Sequence, residues 1–148
     1  MDLILWRHAD AEDGSPDAAR RLTAKGEKQA ARMAEWLAGR LPADARMIVS
    51  PAIRAQQTAS PLERPRVTRD ALAPGASAAE ILAAAGWPSG GGTVVIVAHQ
   101  PSLGAATALA LTGRAAGWHI GKGALWWIAT QHGEAAPRVK AVMTPKLL

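Results

Sequence analysis

Five residues of this chain could do chemistry together: Arg7 and His8, Ser50 and Arg54, and His99. A neutral imidazole can act as nucleophile or base, and a guanidinium presents a planar fork of donors that matches phosphate oxygens. Taken singly, each has a plainer reading: a His after a strand as a partly buried polar side chain, an Arg early in a helix as a solvated one. Their positions change that reading. Arg7-His8 follows the apolar run Asp2 to Trp6, Ser50 follows Met47-Ile48-Val49, and His99 follows Thr93 to Ala98. In open parallel sheets the binding crevice lies beyond the carboxyl ends of the strands. Two guanidiniums and two imidazoles at one sheet edge, with two helix starts beside them, suit a dianionic phosphoryl group. No core needs that set of charges at one place. Lys122, just before Gly123-Ala124-Leu125, is a further candidate to border the crevice, against the plain reading of a solvated Lys. His119 and His132 lie in polar, Gly-containing loops and read as surface residues.

The elements that must position these side chains are legible in outline. Asp2 to Trp6 reads as a buried strand and residues 10–21 as a loop. Ala30, Met33, Ala34, Leu37 and Leu41 then recur at helical spacing, with Thr23 as N-cap and Pro42 as the stop. Met47 to Val49 predicts a second strand, and Ser50-Pro51 a helix from Pro51 to about Ser60, with Ser capping and Pro at the first position. Residues 66–68 read as a short edge strand and 78–85 as a helix ending near Gly86. The unbroken apolar run Thr93 to Ala98 predicts a strand buried on both faces. Pro101 opens a helix to about Thr112, and two further strands, 124–130 and 138–143, are joined through His132-Gly133. This alternation predicts an α/β fold: a single-domain three-layer sandwich spanning residues 1–148, with a mostly parallel central sheet and helices on both faces. Trp126 and Trp127, being adjacent in a strand, should face opposite sides of it.

Composition bounds the possibilities. The chain has 148 residues, 34 of them Ala, and contains no Phe, Tyr or Cys. Ala-lined helices must therefore pack closely on a Leu, Ile and Val sheet. Disulfides, thiolate metal sites and a Cys nucleophile are excluded. No stretch approaches the roughly 20 apolar residues of a membrane span, and no cationic leader precedes the first strand, so a cytoplasmic protein without membrane partners is expected. Net charge is +5, concentrated in residues 20–69, which alone carry +7. An anionic partner follows, and without Phe, Tyr or a nucleic-acid motif, nucleic acid is disfavoured.

Four ordered blocks carry a family resemblance: residues 5–12 (Leu5-Trp6-Arg7-His8-Ala9-Asp10-Ala11-Glu12), 21–26 (Arg21-Leu22-Thr23-Ala24-Lys25-Gly26), 50–58 (Ser50 through Thr58) and 97–104 (Val97 through Gly104). Together they resemble the histidine phosphatase superfamily with its phosphoglycerate mutase-like fold, and within it the small bacterial phosphohistidine phosphatases of the SixA type, over nearly the whole chain. The resemblance implies that His8 is the nucleophile that becomes phosphorylated and that Arg7, Arg54 and His99, the last protonated, bind the transferred phosphoryl group, with Ser50 and Lys122 as further substrate-binding candidates. It implies neither metal nor cofactor, the cationic side chains supplying the charge. Ala9 departs from the family's usual Gly after the catalytic His, which a Cβ tolerates only at ordinary backbone angles.

The 34 residues from Ala59 to Gly92 allow a short strand and a helix but no covering lid. They offer Glu63, Asp70 and Glu80 as acids, none in a recognisable motif, with Asp10 and Glu12 as other candidates near the site. A phosphorylated imidazole can leave without a dedicated protein acid. The expectation is therefore a phosphohistidine phosphatase acting in signal transduction on a phosphorylated protein. The alternatives are a phosphatase of small phosphate monoesters on the same fold, or a non-catalytic module binding an anion or nucleic acid.

Overall fold

Apolar side chains alternate between two faces along the central strands, and that alternation builds two cores on one sheet. The computed structural model describes residues 1–131 and 136–148; the join expected at His132-Gly133, and the surface position expected for His132, lie outside the described residues. Among the described residues six strands form one sheet, β1 (Asp2–Arg7), β2 (Arg46–Val49), β3 (Arg66–Thr68), β4 (Thr93–Ala98), β5 (Leu125–Ala129) and β6 (Arg138–Met143), in the order β3-β2-β4-β1-β5-β6. The first four are parallel, and β5 runs against both β1 and β6.

Among the described residues four α-helices cover the sheet. On one face Ile4, Trp6, Val95 and Val97 pack with Met33 and Leu37 of α1 (Ala24–Ala38) and Ala55 and Ala59 of α2 (Ile53–Ala59). On the other, Leu3, Leu5, Val94 and Ile96 pack with Ile81 and Leu82 of α3 (Ala78–Ala85) and Leu103 and Ala106 of α4 (Ser102–Thr112). The expected three-layer α/β sandwich is thus the fold. Small side chains let the layers approach: Ala30, Ala55, Ala106 and Ala108 are fully buried. Glycine allows the closest contacts. A Cβ on Gly26 would lie 1.9 Å from the carbonyl oxygen of Asp10, and one on Gly104 would lie 1.6 Å from that of Trp118.

Every residue of β4 is buried, as its lack of alternation predicts. Thr23 caps α1, its hydroxyl accepting the Gly26 N–H at 2.9 Å. The helix after β2 differs from expectation: it begins at Ile53, and Ala52 rather than Ser50 is its N-cap. Ser50 accepts the Ala52 N–H at 3.2 Å, but its hydroxyl also lies 2.7 Å from His99 Nε2, which holds it at the strand end. Trp126 and Trp127 do face opposite sides. Trp127 meets Trp36 of α1 edge-on, and Trp126 lies against Trp118.

Candidate active site

Parallel pairing runs on past the ends of β1, β4 and β2. The His8 N–H donates to Ala98 O at 3.1 Å, and the Ser50 N–H to Val97 O at 3.0 Å. Three neighbouring strands thus deliver His8, His99 and Ser50 abreast. The His8 and His99 rings stand 5.1 Å apart, centre to centre, tilted by 52°. With Arg7, Arg54 and Lys122 they line an open crevice of about 300 Å³, whose wall also includes Asp17, Arg20 and Gln100.

His8 is 7% exposed, and its Nδ1 lies 2.8 Å from the Ala9 carbonyl oxygen. A carbonyl only accepts, so Nδ1 carries the proton and the neutral ring keeps a lone pair on Nε2. Burial, then the charges of Arg54 and Arg7, push His8 down to about 4 despite that hydrogen bond. Ala9 is fully buried and is not among the residues with positive φ, so its Cβ adds no backbone strain. Its N–H donates to the Thr58 hydroxyl at 3.0 Å, which in turn donates to Arg54 O at 2.7 Å. Thr58, one helical turn after Arg54, therefore ties the His8 loop to α2.

Arg54 is 4% exposed, and its fork is gripped from the loop after β1: Nη1 donates to Asp17 O at 2.7 Å and Nη2 to the Asp17 carboxylate at 3.0 Å. Arg7 Nη1 donates to Ile120 O at 2.9 Å, and burial lowers this guanidinium's pKa. Among the described residues, the buried side-chain nitrogens or oxygens without a hydrogen-bond partner are Arg7 Nε, Arg54 Nε and His99 Nδ1. All three belong to the cluster. Buried donors are ordinarily paired at a cost of about 1–3 kcal/mol when they are not, so this is a place suited to an oxyanion.

His99, 3% exposed, is pushed down to about 3 by burial first, then by His8 and Arg54. On its own the protein holds this ring neutral, and the protonated form expected from the sequence requires a neighbouring dianion. Ser50 does not line the crevice as a substrate-binding candidate should. It is fully buried behind His99, where its hydroxyl orients the ring. The backbone donors expected from helix starts are partly engaged, since the Ala52 N–H is taken by Ser50 and the Gly104 N–H by Gln100 Oε1 at 2.6 Å. Lys122 does border the crevice, paired with Asp10 at 2.8 Å. His119 is exposed, as expected.

Of the acids considered, Glu12, Glu63, Asp70, Glu80 and Asp10 are absent from the crevice wall, where Asp17 stands instead. Hydrogen bonds from Arg20 and Arg54 hold the Asp17 carboxyl below its usual range, so it has no proton to give near neutrality. Sequence reading missed Asp17 and Thr58, and it counts Arg20 with the basic segment outside the site, whereas Arg20 lines the crevice. Among the described residues no three His, Asp or Glu side chains gather as a metal would need.

Comparison with known proteins identifies the fold and the family. The profile of the histidine phosphatase superfamily (branch 1) matches residues 3–73. A structure of a protein assigned as phosphohistidine phosphatase SixA from Nakamurella multipartitia superposes with a TM-score of 0.80 at 30% identity, over 97% of this chain and 95% of that one. The structure of the protein histidine phosphatase SixA complexed with tungstate shares the fold, with a TM-score of 0.80 at 24% identity over 99% of both chains. In sequence, 59 residues are 41% identical to phosphohistidine phosphatase SixA of Escherichia coli (strain K12), a stretch that spans 39% of this chain and 37% of that protein. The chain belongs to the histidine phosphatase superfamily, is of its SixA type, and is by family a phosphatase.

Proposed function

We propose that this protein removes the phosphoryl group from a phosphohistidine on a protein substrate, through a phosphorylated His8. The observation that carries this reading is the 2.8 Å contact of His8 Nδ1 with Ala9 O: a carbonyl only accepts, so a neutral ring donates from Nδ1 and keeps an unprotonated Nε2, on a residue that lines a cationic crevice. The His8 Nε2 lone pair attacks phosphorus as the bond from phosphorus to the substrate imidazole nitrogen breaks. A substrate ring protonated on its other nitrogen departs as neutral imidazole and needs no proton from the enzyme. Water then attacks the phosphorus on His8, the P–Nε2 bond breaks, and inorganic phosphate and free His8 result. Arg7, Arg54 and His99 act as fixed donors to the phosphoryl oxygens as charge develops, with Lys122 at the rim and Ser50 holding His99 in place.

The choice of phosphohistidine over a monoester rests on Asp17. An alkoxide leaving group wants a protein acid, and this carboxyl, ion-paired to Arg54 and Arg20, stays deprotonated. The crevice is also open enough for a protein-borne ring. Incubation with a phosphohistidine peptide labelled with ³²P, quenched in alkali, should trap label on His8; the His8→Asn variant should trap none and lose turnover. Turnover surviving in His8→Asn would overturn the covalent route, and a clear kcat/KM preference for monoesters would overturn the substrate.

A further inference from the structure

Beside the active-site crevice lies a second depression, about 410 Å³ in volume, between α1 and the chain's last residues. Among the described residues, Lys25, Lys28, Gln29, Arg32, Pro145 and Lys146 line it: four cations and no carboxylate side chain. Lys25, Lys28, Gln29 and Arg32 fall at i, i+3, i+4 and i+7, hence on one stripe of α1. Like charges at that spacing weaken a helix by a few tenths of a kcal/mol per pair, so helix stability does not account for them. None of the cations forms a side-chain ion pair among the described residues; Arg32 donates to the Leu148 backbone oxygen at 3.1 Å. All four are exposed.

The groove is joined to the crevice through one short relay. Gln29, on the groove wall, accepts the Asp10 N–H at 2.9 Å, and Asp10 pairs with Lys122 on the crevice wall at 2.8 Å. The two depressions share no lining residue, so a ligand held within the crevice contacts none of the groove's cations, whereas a macromolecule can contact both walls. Among the described residues no aromatic ring lines the groove for a base to stack on. Leu147, 72% exposed beside Lys146, adds an apolar contact of the kind protein interfaces use.

We infer that the groove formed by Lys25, Lys28, Arg32 and Lys146 docks an acidic surface of the phosphorylated protein substrate and presents its phosphohistidine to the crevice. This rests on the proposed phosphohistidine activity and adds to it a place where partner recognition is separate from chemistry. Arg20, although in the basic segment, is excluded from the docking set because it lines the crevice and pairs with Asp17.

The test uses the whole protein, a Lys28→Glu/Arg32→Glu/Lys146→Glu variant and a milder version with Gln at the same positions, which guards against misfolding. Three probes are compared: free phosphohistidine, a phosphohistidine peptide bearing a tract of eight Glu and Asp residues, and the fluorescent tract alone. Charge reversal should lower kcat/KM for the tract-bearing peptide at least tenfold at low salt, with the gap closing at high salt, while free phosphohistidine is hydrolysed unchanged. The Gln version should show a smaller loss of the same kind. Equal turnover of the tract-bearing peptide by wild type and variant overturns the docking site while leaving the activity intact. Binding of the fluorescent tract by wild type but not by the variant, with no phosphohistidine hydrolysed, sinks the activity and leaves the docking site. Loss of both activities together, or tighter binding of duplex DNA or phosphatidylserine vesicles than of the tract, overturns the assignment to an acidic protein.

Discussion

Lowering the pH from 7.5 to 5 should remove about 4 kcal/mol of folding stability, through two imidazoles alone. His8 and His99 are held in the fold at about 4 and about 3, against 6.5 when free. The folded values lie below the unfolded one, so the unfolded chain takes up protons first as pH falls through 6.5. Stability is therefore complete above 6.5 and drains as pH falls toward the folded values. At pH 5 the folded rings are still almost wholly neutral while the unfolded ones are almost wholly charged. Each then contributes RT times the logarithm of about 30, or about 2 kcal/mol. This figure depends little on how far below 5 the folded values lie. Asp10 and Asp17, also lowered, contribute less than about 0.1 kcal/mol each at this pH because their unfolded counterparts remain ionised. Urea unfolding at the two pH values, followed by tryptophan fluorescence, measures the difference, and His8→Gln should roughly halve it. A fall below about 1 kcal/mol would refute neutral burial of the pair, and with it the account of how His8 keeps its lone pair.

Two further outcomes follow from the geometry. Gly26→Ala puts a methyl carbon 1.9 Å from Asp10 O, so α1 and the loop after His8 must separate; we expect a loss of about 1–3 kcal/mol in denaturant unfolding and a fall in kcat with it. Asp17→Asn removes the anion that competes for Arg54, so inhibition by inorganic phosphate should tighten several-fold at pH 7, whereas a hundredfold loss of monoester hydrolysis would mark Asp17 as an acid and favour the ester reading.

Much of this site was legible because it sits where chain direction alone puts it. Apolar runs too short for helices, each ending in Arg, His or Ser, place those residues at one sheet edge as soon as the strands are parallel. The four blocks then imply roles for Arg7, His8, Arg54 and His99 that spacing could not assign. The side chains that hold the cluster were harder to see, for a physical reason. Asp17 reaches Arg54 across 37 positions from a loop with no periodicity. Thr58 reads as an ordinary helical Thr until Ala9 is folded against it. From sequence Ser50 reads as a helix cap and substrate-binding candidate, because the contact of its hydroxyl with His99 exists only in three dimensions. The reversed direction of β5 left no mark in composition, since a strand reads alike in either sense.

That reversed strand has a consequence for the order in which the molecule can form. β1 is flanked by β4 on one side and β5 on the other, so the first six residues of the sheet pair with segments about 90 and 120 positions away. A nascent chain can make α1 early, but its opening strand has no partner until residue 98 and no second partner until residue 129 has emerged. Contacts this distant in sequence are slow to form and leave strand edges open meanwhile. Gly123, which accepts the Trp6 indole N–H at 2.9 Å and donates to His8 O at 3.0 Å, arrives just ahead of β5. His8 is made almost first and is seated almost last, so the proposed nucleophile acquires its setting only when β5 has paired with β1.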